Sequence, residues 1–209
     1  MITVTTPATD VALLTTEELR LAVGLSSTDA SQDTLLALFG DRAADAMAQW
    51  CGIMDVPPNP LTFREETITE VFRCVYGREE LTLSKRPVTA VTSVVVDATT
   101  YATTEYEISV QAGQLYRLSA DSRVEWDGEK ITVVYTAGYA TVPPALKMAA
   151  VKMVRMFWSE NGPGSGNPNL KRVRIEGVGE REYWVGGASD PLMSMEVQEL
   201  LSRFREVYF

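Results

Sequence analysis

Histidine is absent from the 209-residue chain, and with it goes a large block of chemistry. Ser-His-Asp and Cys-His nucleophile pairs, histidine-bearing zinc sites and histidine pH switches all need an imidazole. Cysteine is scarce, with only Cys51 and Cys74, and neither has a Cys or His neighbour at ligand spacing. Both are read as buried free thiols, with no disulfide and no metal expected. No apolar run approaches the roughly 18 to 20 residues that span a bilayer, so no membrane partner is expected. The opening MITVTTPATD lacks the basic and apolar regions of a secretory signal, which predicts a protein kept in a cytosol. Cations are outnumbered, 19 Lys and Arg against 28 Asp and Glu, for a net charge of -9. That balance argues against a surface that grips phosphate, although DNA could slide past such a surface without sequence-specific binding.

Motifs that carry catalysis are missing as well. There is no GxSxG elbow, no Asp-rich metal loop and no GxxxxGK[ST] phosphate loop. Gly162-Pro163-Gly164-Ser165-Gly166 lacks the preceding strand and following Lys-Ser/Thr helix of a phosphate cradle, and reads as a surface loop. Glu65-Glu66, Glu79-Glu80 and the Asp41/Asp45 pair read as solvated charge, since neighbours on a strand face opposite ways. No catalytic residue, metal ligand or cofactor is assigned, and the chain is expected not to be an enzyme.

What is present is an α+β pattern: N-terminal helices, an antiparallel β lobe, a long helix, a β-hairpin and a C-terminal helix. After a polar leader, Thr15-Thr16-Glu17-Glu18 forms a capping box, and Leu19, Ala22 and Val23 make a short stripe ending near Gly24. Leu36, Phe39, Ala43, Ala46, Met47 and Trp50 recur at helical steps and predict a second helix ended by Gly52. Gly40 inside it costs roughly 1 kcal/mol relative to Ala unless close packing requires it. Val56-Pro57-Pro58-Asn59-Pro60 is a rigid linker, because proline lacks an amide donor and restrains its predecessor. Val-, Ile-, Thr- and Tyr-rich runs then predict strands near Ile68–Tyr76, Leu81–Leu83, Val91–Asp97, Tyr106–Val110, Leu115–Leu118 and Ile131–Tyr135. Asp127-Gly128 is read as a hairpin turn and Ala112-Gly113 as a weaker one. Helix resumes at Pro143-Pro144, with Leu146, Ala149, Ala150, Met153, Val154 and Phe157 on its apolar face. The expected organisation is a single domain over 1–209, with a helical body (1–55 and 142–161), a β lobe (61–136), a flexible loop (162–170), a hairpin (171–186) and a C-terminal docking helix (190–209).

Two surface groups stand out. Lys171, Arg172, Arg174 and Arg181 are the one local basic concentration, a candidate contact with a neighbouring subunit or with DNA in a channel. Val197, Leu200, Leu201, Phe204, Tyr208 and Phe209 make the apolar side of a C-terminal helix, a candidate partner surface.

The order of these pieces resembles the head-tail connector (adaptor) family of tailed phages, also found in gene transfer agents. The resemblance lies in LTTEELRLAVGL, AMAQWCGI, KRPVTAVTSVVVD, GEKITVVYTAGYATVPPALKMAAVKMV and the closing ELLSRFR. Its most specific block runs from Ile131 to Val154: a strand ending Tyr135-Thr136-Ala137-Gly138-Tyr139, a Val-Pro-Pro turn, then an Ala- and Met-rich helix. The resemblance implies a virion protein that assembles with itself as a ring, typically of twelve copies matching the portal, placed in the neck during assembly in the host cytoplasm. It extends the DNA exit channel and offers a platform to stopper or tail proteins. By the same resemblance the apolar C-terminal residues dock on the portal protein. A tail terminator or stopper is the alternative reading; a phage enzyme or DNA-packaging subunit fits the composition less well.

Overall fold

The structure is a computed structural model and describes residues 1–163, 172–175, 179–182 and 193–205, the two short central stretches by backbone alone. The chain divides into two compact units, one of residues 1–11, 48–143 and 205–209, the other of 12–47 and 144–204. It is α+β, as the sequence predicts.

Antiparallel strands build the first unit. Its larger sheet runs β1 (Ile2–Thr6), β2 (Glu66–Arg78), β9 (Trp126–Ala137), β4 (Val88–Val96) and β5 (Thr99–Tyr101) in that spatial order. A smaller sheet places β7 (Gln114–Ser119) between β3 (Glu80–Thr82) and β6 (Tyr106–Ser109), with β8 (Ser122–Val124) also paired to β7. Side chains of both sheets share one core, in which Ile68, Val94, Leu115, Trp126, Ile131, Val133 and Tyr135 are buried. Trp126 is fully enclosed, and its indole N–H donates to the Leu115 carbonyl at 3.0 Å, so the ring fills the core without leaving a donor unpaired.

The segment read as a polar leader is β1, whose Val4 lies opposite Ile68 and whose Ile2 lies opposite Glu70. Asp127-Gly128 is not a turn but lies within β9, Asp127 opposite Tyr76 and Gly128 opposite Val75. Glycine is needed there for space: a Cβ on Gly128 would sit 2.8 Å from Val96 Cγ1. The turn at Ala112-Gly113 does form between β6 and β7, with Gly113 at φ +67. Cys74, expected to be buried, is exposed, while Cys51 is buried. At Cys74 the backbone of β2 takes a positive φ of 53, a local departure from the regular pleat.

The second unit is helical. The capping box at Thr15 is formed: its hydroxyl accepts from Glu18 N at 3.2 Å and Glu18 Oε2 accepts from Thr15 N at 2.9 Å, opening α1 (Thr16–Ala22). In α2 (Asp33–Cys51) the buried side holds Leu36, Phe39, Ala43, Ala44, Met47, Ala48 and Cys51, whereas Ala46 and Trp50 are only half-buried. The small residues Ala44 and Ala48 rotate the buried stripe away from the large Trp50. Gly40 has a packing reason, because a Cβ there would lie 3.3 Å from Leu19 Cδ2. Pro144 opens α3 (Pro144–Asn161), whose buried residues are the six read from its periodicity. Phe157 of α3 meets Phe39 of α2 at a centroid distance of 6.1 Å. The predicted hairpin is present as β10 (Arg172–Ile175) and β11 (Gly179–Glu182). The last helix is shorter than expected: α4 spans Met195–Leu201, is capped by Ser194, and gives way to a 3-10 turn at Ser202–Phe204.

Candidate functional site

Among the described residues, no cluster of acidic, Cys or His side chains has the form of a metal site, and every buried side-chain nitrogen or oxygen has a partner. The most conspicuous polar group lies under the loop between β3 and β4. Glu66, Ile68 and Glu70 share one face of β2 by the two-residue strand period, and all three are buried. Glu66, read from sequence as solvated charge, forms an ion pair with Lys85, both side chains at most 6% exposed. Lys85 Nζ also donates to the Arg64 carbonyl at 3.4 Å. Beside it, Glu70 accepts from the Ser84 hydroxyl at 2.6 Å and from the Tyr135 hydroxyl at 3.0 Å. A shallow groove lined by Ile2, Val4, Met54, Val56 and Ile68 ends on Glu66 and Lys85. These charges are engaged with one another, so the network ties β2, β9 and the 83–87 loop together.

Ionic contacts also organise the helical unit. Arg20 grips Asp33 through two bonds, Nε to Oδ1 at 2.7 Å and Nη2 to Oδ2 at 2.5 Å, and a third guanidinium nitrogen donates to the Ser27 carbonyl. The Arg20 hydrogen bond holds the Asp33 carboxyl below its ordinary range. Burial alone would raise Glu18, but hydrogen bonds from Lys147, at 2.6 Å, and from the Thr15 amide outweigh it and leave the group lowered. Arg155 Nε donates to the Ala22 carbonyl at 2.6 Å, satisfying an acceptor at the end of α1.

The C-terminal candidates divide. Val197 and Leu201 are buried within the helical unit, where α4 packs on α3 and Glu196 pairs with Lys152 at 2.7 Å. Leu200 and Phe204 are half-buried, and Tyr208 and Phe209 lie outside the described residues. The described part of the predicted docking helix therefore turns Val197 and Leu201 toward its own unit. Of the basic group, Lys171 lies outside the described residues; the register sets Arg172 opposite Glu182, Arg174 opposite Glu180 and Arg181 opposite Val173. Two of the three described arginine positions thus face a glutamate position across the ladder. Sequence reasoning passed over two outward helix faces, one on α2 and one on α3. Their signal was an apolar residue off the buried stripe, Leu38 and Met148, 61% and 51% exposed.

Residues 12–162 match the family model described as head completion protein, and the chain belongs to that family. This agrees with the head-tail connector resemblance read from sequence and gives the chain a structural connector role in a phage-like particle. The fold is similar to a chain in the neck of an empty gene transfer agent particle computed with C6 symmetry, at TM-score 0.57 and 19% identity, covering 100% of this chain and 97% of that one. A chain from the virion of a native gene transfer agent particle gives the same values. A chain in the neck of the native particle computed with C12 symmetry matches at TM-score 0.55 and 18% identity, again over 100% and 97%. No curated protein matches the sequence.

Proposed function

We propose that the chain is a non-enzymatic connector subunit that forms a ring beneath the portal of a tailed, phage-like particle, extends the DNA channel and presents a platform to stopper or tail proteins. The observation that carries this reading is the family match over residues 12–162, which takes in α1, α2, strands β2 to β9 and α3. Neighbours drawn from necks computed with C6 and C12 symmetry support a ring of subunits around an axis. The net charge of -9 suits a channel wall that repels phosphate and lets duplex DNA slide. Portal docking in this reading uses Leu200, Phe204 and the residues that follow, since Val197 and Leu201 are occupied within the helical unit.

Removing the gene from a particle-producing cell tests the role. The expected result is DNA-filled heads and separate tails, with joining restored by supplying the chain. Normal tailed particles lacking the chain would contradict a connector role; tails that stay attached to empty heads would move it to DNA retention by a stopper.

A further inference from the structure

Among the described residues the larger sheet ends on two edges that differ in kind. At one end β5 is three residues long, and a very short edge strand is one way a protein blunts an edge against further pairing. At the other end β1 runs for five residues, Ile-Thr-Val-Thr-Thr, with no charge and no proline to blunt it. Every one of them is β-branched, the residue type that suits a strand. Met1 and Val71 exchange both backbone bonds, Met1 N to the Val71 carbonyl at 2.8 Å and Val71 N to the Met1 carbonyl at 2.7 Å. An antiparallel ladder alternates from such a pair. Thr3, opposite Thr69, therefore bonds to β2, while Ile2 and Val4, opposite Glu70 and Ile68, turn their N–H and C=O groups away from it. Among the described residues no strand lies along that side.

The second unit holds a pair of strands in need of a third. β10 and β11 pair with each other and, among the described residues, with no other strand. A two-stranded ribbon on its own is marginal in water, and a further strand is what makes it stable. β10 reads Arg-Val-Arg-Ile and β11 Gly-Glu-Arg-Glu. Glycine and glutamate are poor strand residues, so β10 is the better edge to extend, and its four residues match the five of β1 in length. We infer that in the ring β10 of one subunit pairs along the open edge of β1 in the next, so that each larger sheet gains two strands from its neighbour through backbone hydrogen bonds. β1 and β10 belong to different compact units. The contact thus joins two different surfaces of the subunit, the kind that allows rotation to close a ring. The inference rests on the ring reading above and names the strands that make the ring.

Amide exchange and crosslinking test it. When the full chain assembles on portal-bearing heads, exchange of the backbone amides in residues 1–6 should slow by about tenfold or more relative to the free subunit, with those of 172–175 slowed alongside. In a Cys74→Ser background, copies carrying Thr3→Cys are mixed with copies carrying Arg174→Cys, assembled and treated with a short bifunctional maleimide; crosslinked dimers are expected. Val4→Pro removes one outward N–H and leaves the β2 ladder its donors, so it should cut ring-bearing heads about tenfold at unchanged strand circular dichroism. Should that variant fail to fold, the exchange and the crosslinks decide. Unslowed exchange at residues 1–6 in assembled rings would overturn the inference. So would slowed exchange without dimers, which gives the edge to a different neck protein, and so would crosslinked monomers alone from a chain carrying both cysteines, which puts β10 on β1 of its own chain. If the unaltered chain forms no ring on portal-bearing heads, the ring reading itself fails instead.

Discussion

Replacing Lys85 by Met should destabilise the strand unit by about 3–5 kcal/mol, because it strands the Glu66 carboxylate in a site that excludes water. Lys85 and Glu66 are each at most 6% exposed, so bulk solvent cannot compensate for the missing ammonium. The Arg64 carbonyl also loses the donor that lies 3.4 Å away. In a domain of this size about 1 kcal/mol moves the melting temperature by roughly 2–4 °C, so the loss should be plain in a thermal scan of strand circular dichroism. A second variant separates the charge from the packing. Lys85→Met combined with Glu66→Leu removes both ions and should recover most of the lost stability, since apolar replacement of a whole buried pair is commonly close to neutral. The amide of Ala8, 3.5 Å from Glu66 Oε1, is the group the double variant leaves to find water. Equal loss in the single and double variants would show that the pair acts through its shape alone.

Gly138→Ala should be the second severe change, costing about 3 kcal/mol or more. Gly138 follows β9 at φ +111, and a Cβ there would lie 2.4 Å from the Arg64 carbonyl oxygen and 2.7 Å from its carbon. Both are backbone atoms, which cannot swing aside as a side chain can. The segment is also pinned on either side: Gly138 N donates to the Pro87 carbonyl at 2.9 Å and Tyr139 N to the Phe63 carbonyl at 2.8 Å. Gly24→Ala is the control, with a comparable φ of +82 and no atom within 4 Å of the added Cβ; it should lose only the left-handed backbone strain, about 1–2 kcal/mol. Similar melting temperatures for the two variants would show that the contact with Arg64 is dispensable. The Tyr135-Thr136-Ala137-Gly138-Tyr139 block that carries the family resemblance is thus also a steric requirement, since it lets two backbone segments cross in contact.

The helices and long strands were legible because their periodicity repeats over enough residues to outweigh exceptions. The face of α3 was read residue for residue, and the capping box fixed the start of α1. Short or mixed signals misled. Ile2 and Val4 alternate as a strand should, but two apolar positions among threonines could not be told from a polar leader. Asp127-Gly128 has turn chemistry, yet tertiary packing against Val96 places that glycine inside a strand. The buried network was hidden by charge itself: on β2 the period of two correctly groups Glu66, Ile68 and Glu70, but two carboxylates suggest water. Only the partners Lys85, Ser84 and Tyr135, remote in sequence, turn that face inward.

The most direct test of a connector that works by fitting against copies of itself and the particle's vertex is imaging of purified particles with this chain tagged. A ring of tagged subunits in density between the portal and the tail, present in every tailed particle, is the predicted result. Purified tailed particles without the chain, with the tagged protein left behind as a lone molecule in the lysate, would contradict it.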